Sequence, residues 1–218
     1  MIVPALKLSL LVATASTVLV ACGGGLAGWM LARSRFRGRE IVGALLNLPL
    51  VLPPTVTGYY LLVVLGRRGW LGGPLHEATG LSITFTWVAC VIAASVMAFP
   101  LMARAARVAF EEIDPRHEVA AASLGLGTTS IFFRVLVPIA RRGLTAGVVL
   151  AFARSLGEFG ATLILAGNVA GRTQTLPLLI YEAVITGEDR SALLLSLFLT
   201  AISVVVIVIA ERFGRRSP

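Results

Sequence analysis

Arg154 and Glu158 stand in the middle of an otherwise apolar run, in the segment FARSLGEFGAT. Ionisable groups at such depth in a bilayer are costly and normally face the protein interior or a water-filled cavity. Four residues apart on a helix, the two share one face and can pair. Two uses suit them: an ion pair that joins helices, or an arginine that lends positive potential to an anion path. The pairing favours the first, because a paired arginine offers little net charge to a passing anion. Arg154, Ser155, Gly157 and Glu158 are the intramembrane candidates in this run.

A second candidate lies in LNLPLVLPPTVTGYYLLVVLG, where Pro49, Pro53 and Pro54 fall in mid-run. Each proline removes a backbone donor and clashes with the preceding turn, so a helix there must bend or break. In lipid the freed carbonyls need neighbouring protein or a water-filled cavity. Broken spans of this kind point to transport paths, although a kink needed only for packing fits the residues equally well. Pro53, Pro54 and Thr55 are the pore candidates here.

The third is the polar interruption HEVAAASLGLGTTSIFFRVLVP, His117–Pro138, followed by Arg141 and Arg142. Asp114 and Pro115 make a good helix start, a carboxylate cap and then a residue preset for the first turn. Gly125 suits a left-handed stop. The helix between them carries Ala120, Ala121, Ala122 and Ser123, a smooth rod that another protein's groove can approach closely. A second short helix, SIFFRVLV, returns the chain through Pro138. The segment fits a docking helix for a separate cytoplasmic protein, with an ordinary helix lying on the membrane surface as the alternative.

Several chemistries are excluded. The one lysine is Lys7, so no phosphate-binding loop ending in Gly-Lys-Ser/Thr exists. Neither His-Glu-x-x-His nor Gly-x-Ser-x-Gly occurs, and His76 and His117 both fall in linkers. No catalytic residue, metal site or cofactor is assigned. The chain is expected not to be an enzyme, and any ATP hydrolysis must belong to another chain.

The elements that hold these residues are all greasy. Of 218 residues, 57% are hydrophobic and 14% charged, with a mean hydropathy of +0.89. A soluble domain could not cover that apolar surface. The expectation is an all-α polytopic membrane protein, a single domain over 1–218. Runs long enough to cross a bilayer occur at about 5–31, 41–66, 82–106, 143–166 and 191–212. A segment at about 107–142 lies between the third and fourth.

The net charge of +8 follows topology and implies no nucleic-acid partner. Arg33, Arg35, Arg37 and Arg39, then Arg104, Arg107, Arg116, Arg134, Arg141 and Arg142, and finally Arg212, Arg215 and Arg216 share one side of five spans. Lys7, Arg67, Arg68, Arg172 and Arg190 fall on the other. The positive-inside rule then puts the N-terminus outside and the C-terminus in the cytoplasm.

Thr173–Gly187 is apolar but short, broken by Pro177 and Glu182; it suits an external amphipathic helix or a re-entrant piece, and the first is favoured because a sixth span would put the arginine-rich C-terminus on the wrong side. LVAC, Leu19–Cys22, has the form of a lipoprotein cleavage box. The apolar character runs on to an arginine cluster, however, so an uncleaved first span is expected. Cys22 and Cys90 are expected to be small buried hydrophobes. Gly24 with Gly28, and Gly143 with Gly147, have the spacing that lets helix backbones approach; by itself it names no interface.

EVAAASLG followed by VP resembles the Glu-Ala-Ala…Gly…Leu-Pro motif of ABC-transporter permeases. Glu118, Ala120, Gly125 and Pro138 match it, while Val119 replaces an alanine and Val137 a leucine. LPLVLPPTVTGYYLL, FARSLGEFGATLILAGN and GRTQTLPLLIY look like the molybdate branch of that family (binding-protein-dependent inner membrane components), close to the sulfate and thiosulfate permeases. The resemblance covers about residues 41–185.

That resemblance implies a type I ABC-importer permease in the cell membrane, importing molybdate or tungstate by alternating access. Sulfate or thiosulfate is the alternative substrate, and a self-sufficient transporter or channel the alternative class. The implied partners are a second copy enclosing the pore, two ABC ATPase subunits, an extracytoplasmic oxyanion-binding protein and the lipid bilayer. Glu118, Val119, Ala120, Ala121, Gly125 and Pro138 are the implied ATPase-coupling residues.

Overall fold

The computed structural model describes residues 2–34 and 36–215, with 209–215 as backbone alone. Arg35 and Arg216 therefore lie outside the described residues, as do the side chains of Arg212 and Arg215. The described elements are helical: α1 (Ile2–Arg33), α2 (Arg39–Val51), α3 (Pro54–Leu65), α4 (Gly72–Thr79), α5 (Trp87–Glu111) and α6 (Arg116–Ser123). Then follow α7 (Thr128–Ile131), a π-helical turn (Phe132–Leu136), α8 (Val137–Leu156), α9 (Gly160–Ala166), α10 (Leu176–Ile185) and α11 (Asp189–Arg215). Among the described residues, four helices are long and apolar enough to cross a membrane, and five spans result if the bent pair α2–α3 counts as one.

α5 is the hub. Over half of its apolar window is buried (56%), against 11% for α11, so α5 carries most of the packing while α11 shows most of its surface. The reason is side-chain size. Ala89, Ala93, Ala94, Ala98, Ala103 and Ala106 leave α5 thin enough for close neighbours. Both glycine pairs find their partner there. A Cβ built on Gly28 would lie 2.5 Å from Ala106 Cβ, and one on Gly24 3.1 Å from Met102 Cβ. From the other side, a Cβ on Gly143 would lie 2.5 Å from Ala109 Cβ, and one on Gly147 2.9 Å from Ala105 Cβ. Apolar burial gives helices in lipid little reason to associate, so this close backbone approach is what joins them.

Four expectations are corrected or sharpened. The fourth run does not occupy 143–166. α7, the π turn and α8 continue as one helix, Thr128–Leu156. Pro138 does not interrupt it, because a proline in the first turn of α8 follows a π turn whose wider ring absorbs the missing hydrogen bond.

Cys90 is buried but Cys22 is exposed. α1 turns Ser9, Ser16, Thr17, Gly24 and Gly28 inward, which leaves Cys22 on the outer stripe with Val18 and Leu26. Pro49 sits inside α2 without ending it, and only the Pro53–Pro54 pair breaks the chain. Finally, the expected short helix forms as α10, and its apolar face packs on the bundle. Leu176 and Leu178 are fully buried, and Leu176 and Leu179 pack in one cluster with Ala5 and Leu195. At about 15 Å from the usual rise per residue, this helix is half the length of a span.

Candidate functional site

The two broken runs meet. Pro53 holds Leu52 in extended backbone (φ −72°, ψ 143°), and Pro53 itself is extended (ψ 137°); a residue before proline is pushed there by the ring. α2 and α3 therefore diverge by 112°. The second break is Gly157–Phe159, between α8 and α9.

The start of α9 lies against the start of α3. A Cβ on Gly160 would come within 2.9 Å of Pro54 Cβ, and one on Gly58 within 2.8 Å of Ala161 Cα. Pro53, Pro54 and Thr55 are exposed, as is Gly157, whereas Ser155 and Glu158 are buried. Pro54 and Thr55 are thus brought to the α9 break, which follows directly on the Arg154–Glu158 pair.

Arg154 Nη1 lies 2.7 Å from Glu158 Oε2, with Glu158 buried and Arg154 partly exposed. The expected pair forms, but not on one helical face, since α8 ends at Leu156. The contact is close but not aligned as a hydrogen bond, so Coulomb attraction is what it provides. Glu158 also acts on the backbone: its Oε1 accepts the Ala161 N–H at 2.8 Å, which caps the first turn of α9. Beside these lie two buried hydroxyls without a hydrogen-bond partner, Ser155 Oγ and Thr57 Oγ1. Gly58, Gly160 and Thr57 are not legible as site residues in the sequence, because small residues in an apolar run do not say which backbone they touch.

At the other candidate, Asp114 Oδ1 accepts the Arg116 N–H at 2.8 Å and starts α6. Gly125 ends it at φ +81°, where a side chain would be strained. Ala121 is buried in the main core cluster with Ile131 and Leu136. Val119 (66% exposed) and Leu124 (83%) face outward, as do Ala120 and Ala122. Glu118 turns inward, its Oε1 2.8 Å from Arg33 Nε. Pro138 lies beyond this face, inside the continuing helix. Next to it, Arg39 and Arg107 both contact Glu111 Oε1 at 2.8 Å. The arginines that mark topology in the sequence thus also join α2 to α5 and α1 to α6 at this end of the bundle.

A polar cluster at the other end draws on two of the quoted motifs, although neither marks this cluster as a site. Thr173, Gln174 and Thr175 are buried, and Glu182 accepts from Asn168 Nδ2 at 2.9 Å and from Gln174 Nε2. Ser9 Oγ accepts the Leu176 N–H at 2.7 Å, which ties the loop to α1. Phe85 keeps a positive φ of 60° beside it. Among the described residues, no three His, Cys, Asp or Glu side chains converge to hold a metal ion.

Residues 24–217 match the family model described as binding-protein-dependent transport system inner membrane component. The chain is 42% identical over 215 residues to the molybdenum transport system permease protein ModB of Haemophilus influenzae, covering 98% of this chain and 94% of that protein. It is 44% identical over 190 residues to ModB of Escherichia coli K12, with 87% and 83% covered. The sulfate transport system permease protein CysW of Synechococcus elongatus is 36% identical over 217 residues, with 98% and 76% covered. In fold, the chain resembles an inward-facing MetNI methionine ABC transporter chain with a TM-score of 0.77 at 17% identity, covering 99% of this chain and 95% of that one. A bacterial alginate ABC transporter chain, from a complex with a pentasaccharide-bound periplasmic protein, gives 0.78 at 16% identity, with 98% and 78% covered.

Proposed function

We propose, from the premise that this chain belongs to the binding-protein-dependent transport system inner membrane components, that it is the permease subunit of an ATP-driven molybdate importer. The substrate rests on the 42–44% identity to two molybdenum permeases across most of the chain. Tungstate, an oxyanion of the same charge and shape, is expected to share the path. Sulfate is the second reading, favoured by the sulfate permease at 36% identity.

One observation carries the mechanism: α6 presents a smooth outward face of Val119, Ala120, Ala122 and Leu124 while Ala121 anchors it in the core. Such a mount suits a cleft in a separate ATPase, and this chain has no phosphate-binding loop of its own. The asymmetry of the arginines puts α6 in the cytoplasm, with the N-terminus outside. A second copy of the chain completes the pore, and an oxyanion-binding protein delivers substrate from outside. ATP binding favours one arrangement of the ATPase pair, and through α6 it shifts the permease between inward and outward states. Pro53, Pro54 and Thr55, with the break after Arg154 and Ser155 at Gly157 and Glu158, form the bend facing the path. Arg154 is largely neutralised by Glu158 and holds that bend in shape.

The test is reconstitution with the co-purified ATPase and the binding protein in liposomes. Molybdate and tungstate are expected to stimulate ATP hydrolysis and uptake, and sulfate not. Stimulation by sulfate alone would reassign the substrate, and uptake without any ATPase would overturn the class.

A further inference from the structure

We infer that Arg33 is a positioning residue that fixes α6 to the ends of α1 and α5, so that movement of α6 passes into the transmembrane block. The inference rests on the proposal that α6 docks an ATPase. Two contacts converge on this one guanidinium, and its own backbone adds a third link. Its Nε lies 2.8 Å from Glu118 Oε1, its Nη2 donates to the Ile113 carbonyl at 3.2 Å, and its backbone is the last turn of α1. Both partners are only partly exposed, 19% and 33% for the side chains of Arg33 and Glu118, so solvent screens the pair less than an exposed one. The Nε–carboxylate contact is close but not linear, which leaves the Ile113 hydrogen bond to set the direction of the guanidinium.

The exit from α6 cannot do this work alone. The exit passes Gly125 at φ +81° and Gly127, and a side chain on either would meet nothing within 4 Å. Ala121 is the one α6 residue in the core. Without the arginine, a push on α6 would be taken up in the glycine exit.

With it, the push reaches α1, which Gly24 and Gly28 press against α5, while Gly143 and Gly147 press α8 against the same helix. Trp29, one turn before Arg33, meets Phe132 edge-on at 4.9 Å. A second path thus joins the end of α1 to the helix leaving the α6 segment. The same geometry gives Glu118 a partner within the chain, since its carboxylate faces Arg33, while Val119, Ala120, Ala122 and Leu124 stay exposed.

The experiment uses the full permease co-expressed with its ATPase and reconstituted with molybdate-loaded binding protein. Variants are Arg33→Ala, Arg33→Lys, the single changes Arg33→Glu and Glu118→Arg, and the swap that combines these two. Three quantities are read: ATPase retained per permease, ATP hydrolysis, and molybdate taken up per ATP hydrolysed.

Arg33→Ala is expected to retain its ATPase but to lose roughly tenfold in uptake per ATP, within the usual range of coupling between sites. Arg33→Lys keeps the charge but loses the forked geometry, and should fall between. The swap should recover part of the loss, because the ion pair returns while the bond to Ile113 does not. Uptake per ATP within about twofold of the unaltered protein in Arg33→Ala, well below that coupling range, would overturn the inference, as would a swap no better than its single variants. If Arg33→Ala does not accumulate, Arg33→Lys and the swap decide in the same way. An unaltered permease that holds no ATPase would overturn the docking proposal itself, a separate outcome.

Discussion

Glu158 is held from two directions, by Arg154 at 2.7 Å and by the Ala161 N–H at 2.8 Å. Removing the arginine leaves a buried carboxylate without an ion-pair partner, a change that typically costs about 3–5 kcal/mol. Arg154→Ala is therefore expected to lower the yield of monodisperse protein in detergent more than it changes the preference for molybdate. Size-exclusion recovery measured beside uptake checks this; full recovery with lost uptake would give Arg154 a direct role in the path. Glu158→Gln should be milder, since its amide oxygen still accepts from Ala161 and no lone buried anion remains. At the other end, Asp114→Ala removes the bond to the Arg116 N–H, with a loss of about 0.5–2 kcal/mol expected for a capping residue. Amide exchange should quicken over α6 and leave α5 unchanged.

Helix packing is where small substitutions separate most clearly. Gly28 and Gly25 are three residues apart on α1, yet a Cβ on Gly28 would lie 2.6 Å from the Ala103 carbonyl oxygen, and one on Gly25 3.5 Å from Met102 Cε. The first neighbour is backbone and cannot move aside. The second is the free end of a flexible side chain. Gly28→Ala is expected to cost about 1–3 kcal/mol by overpacking, seen as a lower thermal unfolding midpoint, while Gly25→Ala should leave the midpoint near that of the parent. Gly143→Ala should fall between the two, because its Cβ would meet Ala109 Cβ at 2.5 Å but no backbone atom of α5 closer than 3.5 Å. Equal midpoints for Gly28→Ala and Gly25→Ala would mean that α1 does not pack on α5 in this way.

For the whole molecule, the charge asymmetry makes a definite forecast of which end faces the cytoplasm. In a background with Cys22 and Cys90 replaced by alanine, Arg68→Cys should react with a membrane-impermeant maleimide in intact cells. Arg116→Cys, on a side chain 93% exposed, should react only after permeabilisation. The reverse pattern would invert the topology and remove α6 from any cytoplasmic ATPase. Large apolar side chains along α11, among them Leu193, Leu197 and Phe198, stay exposed in the single chain; they fit the expected lipid and second copy as neighbours.

What was legible in the residues is what depends on local chemistry. The spans follow from composition, the start and stop of α6 from Asp114, Pro115 and Gly125, the break in α2–α3 from Pro53–Pro54, and the missing phosphate loop from the scarcity of lysine. Each is settled by the backbone or by transfer to lipid, so neighbours along the chain suffice. What needed the tertiary structure is every contact between distant segments. Gly24, Gly28, Gly143 and Gly147 announce close packing, but only the fold shows that all four press on α5. Arg33 reads as a topology marker until Glu118 and the Ile113 carbonyl, 80 residues along the chain, are brought to it. A glycine or a charge states what contact it could make; which partner it meets depends on how the helices cross, and packing over the whole bundle decides that.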